Sequence, residues 1–253
     1  MIKKVLWLFS LVIIFGSCAS KEEMVYYYNA SSSTNSNSKY EPKFEPDDLL
    51  MITVTAPDME ASRAFNLPAI SVVQNATQPA GQVQYQLYLV DTNGYIELPV
   101  IGAFKIGGLS RTDAMKQLRI LLQEKIGDPI VNIRITNYKV SVTGEVLRPG
   151  SYPVVSERVT LPDALAMAGD LTIYGKRDNI LVIREIDGVK TMNRVDITKA
   201  DFINSEFYYL SQNDVVYVEP NKTKINSASV GPNITIGLSA LSLVITVIAL
   251  LIR

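Results

Sequence analysis

Apolar residues along this chain fall into three patterns: alternation, a helical stripe, and an uncharged, mostly apolar run near each end. "DDLLMITVTA", Asp47 to Ala56, has the β-branched density of a buried strand. "QYQLYLVDTNGYIELPVIG", Gln84 to Gly102, alternates at Tyr85, Leu87 and Leu89, meets Asn93-Gly94, and resumes at Tyr95, Ile96 and Leu98. That predicts a hairpin, because Asn-Gly supplies the positive φ of a tight turn. Pro57 to Gly81, rich in Ala, Asn, Pro and Gln, reads as a long surface loop. "LSRTDAMKQLRILLQEKIGDP" predicts a helix with Ala114, Leu118, Leu121 and Leu122 on one face. Ser110 caps it with Asp113 three residues on, Gly127 offers a left-handed stop, and Pro129 prevents continuation. "IVNIRIT" then sets Val131, Ile133 and Ile135 on one side of a strand.

A second unit follows. "KVSVTGEVLRPGSYPV" reads as strand, Pro149-Gly150 turn, strand. "TLPDALAMAGDL" is a short helix capped by Thr160 and ended at Gly169. "NILVIRE" and "VKTMNRVDI" form a hairpin about Asp187-Gly188, and "DVVYVEP" is the closing strand. Strand pair, helix, strand pair, strand is the order of a β-grasp domain. The predicted fold class is α+β.

The ends carry different signals. Lys3 and Lys4 precede an apolar run of eleven residues, Val5 to Phe15, then Gly16, Ser17 and Cys18. The run is too short to span a bilayer and reads as a signal peptide over residues 1–17. "SSSTNSNSK", Ser31 to Lys39, has no apolar residue, so residues 18–39 read as an N-terminus on a flexible tether. Tyr26, Tyr27 and Tyr28 within it are read either as contacts to headgroups or a partner, or as local disorder. After a polar spacer over residues 222–233, Ile234 to Ile252 is a nineteen-residue run without charge. As a helix it reaches about 28 Å, close to a ~30 Å hydrocarbon core, and it predicts a transmembrane helix over residues 234–252.

Composition narrows the chemistry. Net charge is −1, which argues against nucleic acid. There is no histidine and a single cysteine, so zinc, iron–sulfur and haem sites lack their usual ligands and the commonest general base is missing. No metal, cofactor or catalytic residue is expected. An enzyme would have to use acidic pairs such as Asp47/Asp48 or Glu185/Asp187, which read as surface charge. With no second cysteine in the chain, an oxidising compartment imposes no disulfide.

Several of these stretches resemble one family. Cys18 directly after the signal sequence resembles the lipobox of bacterial lipoproteins, whose cysteine is acylated; Ala19 after it implies the outer membrane. "EPDDLLMITV", "DTNGYIELPVIGAFKIGGLSRTDA" and "DPIVNIRI" resemble the export domain of the outer-membrane polysaccharide export lipoproteins, the Wza-like family. "VSVTGEVLRPGSYPV", "TLPDALAMAGDLT" and "NDVVYVEP" resemble the soluble-ligand-binding β-grasp domain that follows it in that family. The resemblance implies an export domain over residues 40–137 and a β-grasp domain over 138–221. It also implies a homo-oligomeric ring in the outer membrane that passes capsular or exopolysaccharide, with an inner-membrane copolymerase as partner. Departures exist: Glu45-Pro46-Asp47 stands where the family often has Gly-Pro-Gly, and Gly169-Asp170 where it often has a glycine pair. Gly107-Gly108 and the Glu145 to Gly150 segment are family marks that turn chemistry accounts for.

Thr235, Ser239, Ser242 and Thr246 repeat at four, three and four residues, which aligns them on one helical face. The stripe reads either as a close-packing seam between helices or as the lining of a water-filled lumen. The expected function is a passive conduit. The alternative is a periplasmic scaffold or glycan-binding lipoprotein held by its lipid and its terminal helix.

Overall fold

The computed structural model describes residues 21–30, 40–69, 84–186, 188–229 and 232–251. The first module holds strands β1 (Leu49–Thr55), β2 (Pro68–Ala69), β3 (Gln84–Tyr85), β4 (Leu87–Leu89), β5 (Tyr95–Leu98), β6 (Gly102–Lys105) and β7 (Ile130–Ile135). Helices α1 (Met59–Arg63) and α2 (Arg111–Gln123) belong to it. β1 is central in an antiparallel sheet ordered β4-β1-β7. It turns Leu50, Ile52 and Val54 inward, where they pack with Ile133, Tyr88 and Val90 beneath Ala114, Leu118 and Leu122 of α2. Ser110 Oγ accepts from Asp113 N at 3.2 Å and so caps α2 as expected. The left-handed residue after the helix is Asp128 (φ +51°), not Gly127.

The expected hairpin is rearranged. The Asn93-Gly94 turn is there, with Gly94 at φ +79° and Asp91 Oδ1 accepting from the amides of Asn93 and Tyr95, each at 2.8 Å. Beyond it the strands part. β4 pairs with β1, and β5 pairs with β6. Tyr88 and Val90 face the core, while Leu87 and Leu89 are exposed. Gly107 explains part of the parting: its amide donates to Gly94 O at 2.9 Å, and a Cβ there would stand 2.7 Å from Gly94 Cα. The chain after β6 therefore lies across the turn, a close approach only glycine allows.

The second module holds β8 (Lys139–Gly144), β9 (Gly150–Pro153), β10 (Val159–Thr160), α3 (Leu161–Met167), β11 (Gly175–Ile186), β12 (Val189–Val195), β13 (Tyr209–Leu210) and β14 (Val215–Pro220). Five of these strands form one sheet, ordered β12-β11-β14-β8-β9. β14 runs parallel to β8, and the other pairs are antiparallel. The antiparallel pairs β12-β11 and β8-β9 flank β14, which lies parallel to β8, and α3 connects the two pairs: a β-grasp arrangement. α3 begins with a complete capping box between Thr160 and Asp163, and Gly169 (φ +78°) follows its end. Leu161, Ala164 and Leu165 press on Val140, Val142, Ile180, Val182, Val216 and Val218.

The modules join through short side-chain bridges. Asn137 accepts from Leu49 N and donates to Asp47 O, both at 2.9 Å. Tyr40 stacks on Tyr209 with ring centroids 4.6 Å apart, and Arg111 of α2 pairs with Glu157. An open cleft of about 440 Å³ lies here, with Tyr138, Lys139 and Asn213 among its walls.

The chain continues into α4 (Lys222–Ser229) and α5 (Pro232–Leu251). Among the described residues no helix is long and apolar enough to cross a membrane. This corrects the transmembrane helix expected over residues 234–252. Within α5 the hydroxyl-bearing Ser239, Ser242 and Thr246 recur once per turn and dilute its apolar character.

Candidate functional site

The second module has two ends. β8 starts at the junction with the first module and finishes at the other, distal end, where β14 also finishes. Four segments converge there. The first is the turn after β8. Gly144 has φ +89°, and a Cβ on it would lie 2.0 Å from Val218 O, so the turn is pressed against β14. Leu147 N then donates to Asp170 O at 3.0 Å and Arg148 N to Ala168 O at 2.8 Å. These bonds bring in the second segment, the turn after α3. Thr172 Oγ1 donates to Glu145 Oε2 at 2.9 Å and locks the two turns together.

The third segment is the stretch just before the Ser-rich tether. It is docked rather than free. Tyr27 N and Tyr28 N donate to Ile197 O and Thr198 O at 3.1 and 2.6 Å, and Ala200 N donates to Asn29 Oδ1 at 2.7 Å. The Tyr26 hydroxyl donates to Asp170 Oδ1, and its ring lies under the Arg177 guanidinium at 5.7 Å. Burial and the Asp170 carboxylate push the Tyr26 phenol well above its usual range, so it remains a donor. The tyrosines therefore serve the second module. The backbone pairing partners lie about 170 residues away in sequence, which no local pattern reveals.

The fourth segment is the start of α4. Asn221 N donates to Tyr174 O at 2.7 Å, and Asn221 Oδ1 caps the helix by accepting from Lys224 N at 3.0 Å. Lys224 reaches back to Glu145 Oε1 at 3.6 Å and lies 5.2 Å above the Tyr174 ring.

The expected site residues lie elsewhere. Cys18 is outside the described residues, as is the side chain of Thr235. Ser239, Ser242 and Thr246 fall on α5. Ser242 Oγ donates to Ser239 O and Thr246 Oγ1 to Ser242 O, each at 2.8 Å. Both hydroxyls are thus satisfied by the helix's own carbonyls, so their alignment requires no water-filled lumen.

Two buried carboxylates complete the inventory. Asp214 binds Arg184 through Nε at 3.0 and 3.1 Å and Nη2 at 2.7 Å. Ser211 N donates to the same carboxylate at 2.8 Å, and Arg184 also bonds Tyr209 O. This clamp closes the junction end. Asp48, fully buried, corrects the expectation of surface charge: among the described residues only Glu45 N donates to it, at 2.9 Å on Oδ2. Asp47, its neighbour, is exposed, and Glu185 lies at the exposed end of β11. Asp187 is outside the described residues. Among the described residues no group of His, Cys, Asp or Glu could hold a metal ion.

Comparisons with known proteins follow this two-module division. Residues 36–136 match the polysaccharide biosynthesis/export protein family, and residues 138–218 match the SLBB domain. The chain is similar to the EPS I polysaccharide export outer membrane protein EpsA of Ralstonia solanacearum, 27% identical over 147 residues. That match covers 56% of this chain and 38% of the relative. The protein of the same description from Ralstonia nicotianae is 31% identical over 101 residues, covering 38% of this chain and 26% of the relative. The chain thus spans well under half the length of the curated relatives it matches. With an export module and an SLBB module consecutive in sequence and each built on its own core, the chain belongs to the Wza-like polysaccharide export family.

Proposed function

We propose that this chain serves export of a capsular or exopolysaccharide at the outer membrane. It is a lipoprotein acylated at Cys18, with both modules in the periplasm, that assembles into a homo-oligomeric ring and works with an inner-membrane copolymerase. The observation that carries this reading is the consecutive match to the export and SLBB modules. The family is one of transport proteins, so the role is passage rather than chemistry. A ring is favoured by α5, whose aliphatic side chains Ile236, Leu241, Leu243, Val244, Ile245, Val247 and Leu250 are all exposed and need apolar cover from outside the chain. The stripe of Thr235, Ser239, Ser242 and Thr246 serves as the seam where copies of α5 approach one another. Closed symmetry then makes a ring from one repeated contact.

Cells lacking the chain are expected to lose surface polysaccharide and to regain it with the intact chain. Unchanged surface polysaccharide in the deletion strain defeats the proposal. Removing residues 232–253 separates a conduit from a periplasmic scaffold: a conduit stops exporting, whereas a scaffold keeps partner binding while export continues. Mass measurement of the detergent-extracted protein is expected to give a closed oligomer, and a strict monomer at high concentration defeats the ring.

A further inference from the structure

We propose that the distal end of the second module is a lipid-contacting surface. Leu147 and Ile173 at its loop tips, with Ile225 of α4, rest in the bilayer leaflet that holds the acyl chain. The proposal rests on the lipidation of Cys18 for its orientation. Its surface stands on separate observations.

Leu147 is 67% exposed, Ile173 65% and Ile225 50%. They lie on neighbouring segments. Leu147 packs on Gly169, 3.1 Å from where a Cβ would stand, and Asn221 Nδ2 donates to Ile173 O at 3.4 Å. Ile225 N donates to Asn221 O at 3.1 Å. Turns are ordinarily tipped with polar residues, so three open aliphatic side chains at one end call for a partner. Beside them stand Arg148, next to Leu147, and Lys222 and Lys224 on α4 with Ile225, Lys224 lying over the Tyr174 ring. The carboxylates nearest these tips are engaged: Asp170 with Tyr26 and Leu171 N, Glu145 with Thr172 and Lys224, Glu219 with Lys176 and Arg194. Aliphatic tips flanked by cations and a tyrosine are the composition of a membrane-interface surface. The end is a set of projecting turns rather than a groove, which suits a bilayer better than a peptide.

Chain length supplies the orientation. Cys18 precedes Tyr26 by eight residues, and an extended chain covers at most ~3.6 Å per residue, about 29 Å in all. Tyr26 is fixed to Asp170 at the distal end. An acylated Cys18 therefore holds Tyr26 within ~29 Å of the membrane, a reach that lets the distal end rest on it. The junction end lies a further ~20 Å away along six-residue β8.

The test uses single tryptophans, since Trp7, the sole natural one, falls in the segment read as cleaved. The full-length protein, carrying L147W, I173W or the control V155W, is reconstituted into vesicles of phosphatidylethanolamine and phosphatidylglycerol. Val155 is exposed beside Val154, whose amide bonds Tyr138 at the junction end. L147W and I173W are expected to show blue-shifted emission and quenching by brominated acyl chains, and V155W neither. If all three emit as in water, the proposal is overturned. A blue shift without bromine quenching assigns the surface to a second copy or another protein and also overturns it. In a Cys18→Ser background, replacing Leu147, Ile173 and Ile225 with serine is expected to lower vesicle binding about tenfold; unchanged binding overturns the surface. An unacylated N-terminal peptide by mass spectrometry, with the serine effect intact, removes the anchor but leaves the surface standing.

Discussion

Each module buries one carboxylate, and the two are treated in opposite ways. Asp214 in the second module has a dedicated cation, Arg184, and an amide from Ser211. Asp48 in the first has one amide, and its Oδ1 has no hydrogen-bond partner among the described residues. Burial raises both above the usual carboxylate range; at Asp214 the Arg184 guanidinium pulls back, whereas at Asp48 burial carries the group to about 6, helped by the charge of Asp47. Burial alone therefore does not mark a functional acid. With a counter-ion it makes a clamp; without one it makes a group that titrates with the fold.

Breaking the clamp is expected to have the largest effect. Asp214→Ala leaves the Arg184 guanidinium buried and uncompensated, a loss of about 3–5 kcal/mol. Calorimetry of the variant should show the second module unfolding first, with the transition of the first unmoved. A uniform shift of a single transition would instead mean that the two modules melt as one, and that the contrast between them is not thermodynamic.

The first module is expected to respond to pH. The ordinary Asp48 value of 3.8 applies to the unfolded chain and about 6 to the folded one. Between these values the folded protein holds a proton that the unfolded chain has lost. Stability is therefore full below about pH 4, falls as pH rises to about 6, and is level above that. The span corresponds to about 3 kcal/mol at most. Asp48→Asn keeps an acceptor for Glu45 N, removes the slope and stabilises the module at neutral pH by about 2 kcal/mol. Denaturant midpoints at pH 4 and pH 7 check this; an Asn variant as pH-dependent as the parent contradicts it.

What the sequence revealed follows the range of the interactions involved. Ser110 and Thr160 act within one turn, and their caps stand where the pattern placed them. Asn93-Gly94 specified its turn, but which strands pair beyond it depended on β1, over thirty residues earlier. The alternation of Leu87 and Leu89 was real, yet it lies on the outer face, since Tyr88 and Val90 are the side chains that β1 meets. Asp48 was hidden because a neighbouring acid pair looks like solvated charge until the strand closes over it. Ser239, Ser242 and Thr246 do share a spacing. That spacing also lets the Ser242 and Thr246 hydroxyls reach a carbonyl one turn back, so it describes a helix before it describes a pore.

The smallest expected effect sharpens the contrast most finely, because it concerns a phenol rather than a carboxylate. Tyr26 fixes the N-terminal segment through one side-chain bond to Asp170 and through contact with Arg177. Tyr26→Phe keeps the ring and removes the donor. Asp170 retains the amide of Leu171 at 2.7 Å, so no buried charge is left stranded, and the loss is about 1 kcal/mol. It should fall on the segment and not on the module. The Tyr27 and Tyr28 amides, which bond Ile197 and Thr198, are expected to exchange about fivefold faster, while amides of β11 and β14 keep their protection. Equal protection at Tyr27 and Tyr28 in both proteins would show that the backbone pairing holds the segment unaided. The link from Cys18 to the distal end would then run through the edge at Ile197 rather than through Asp170.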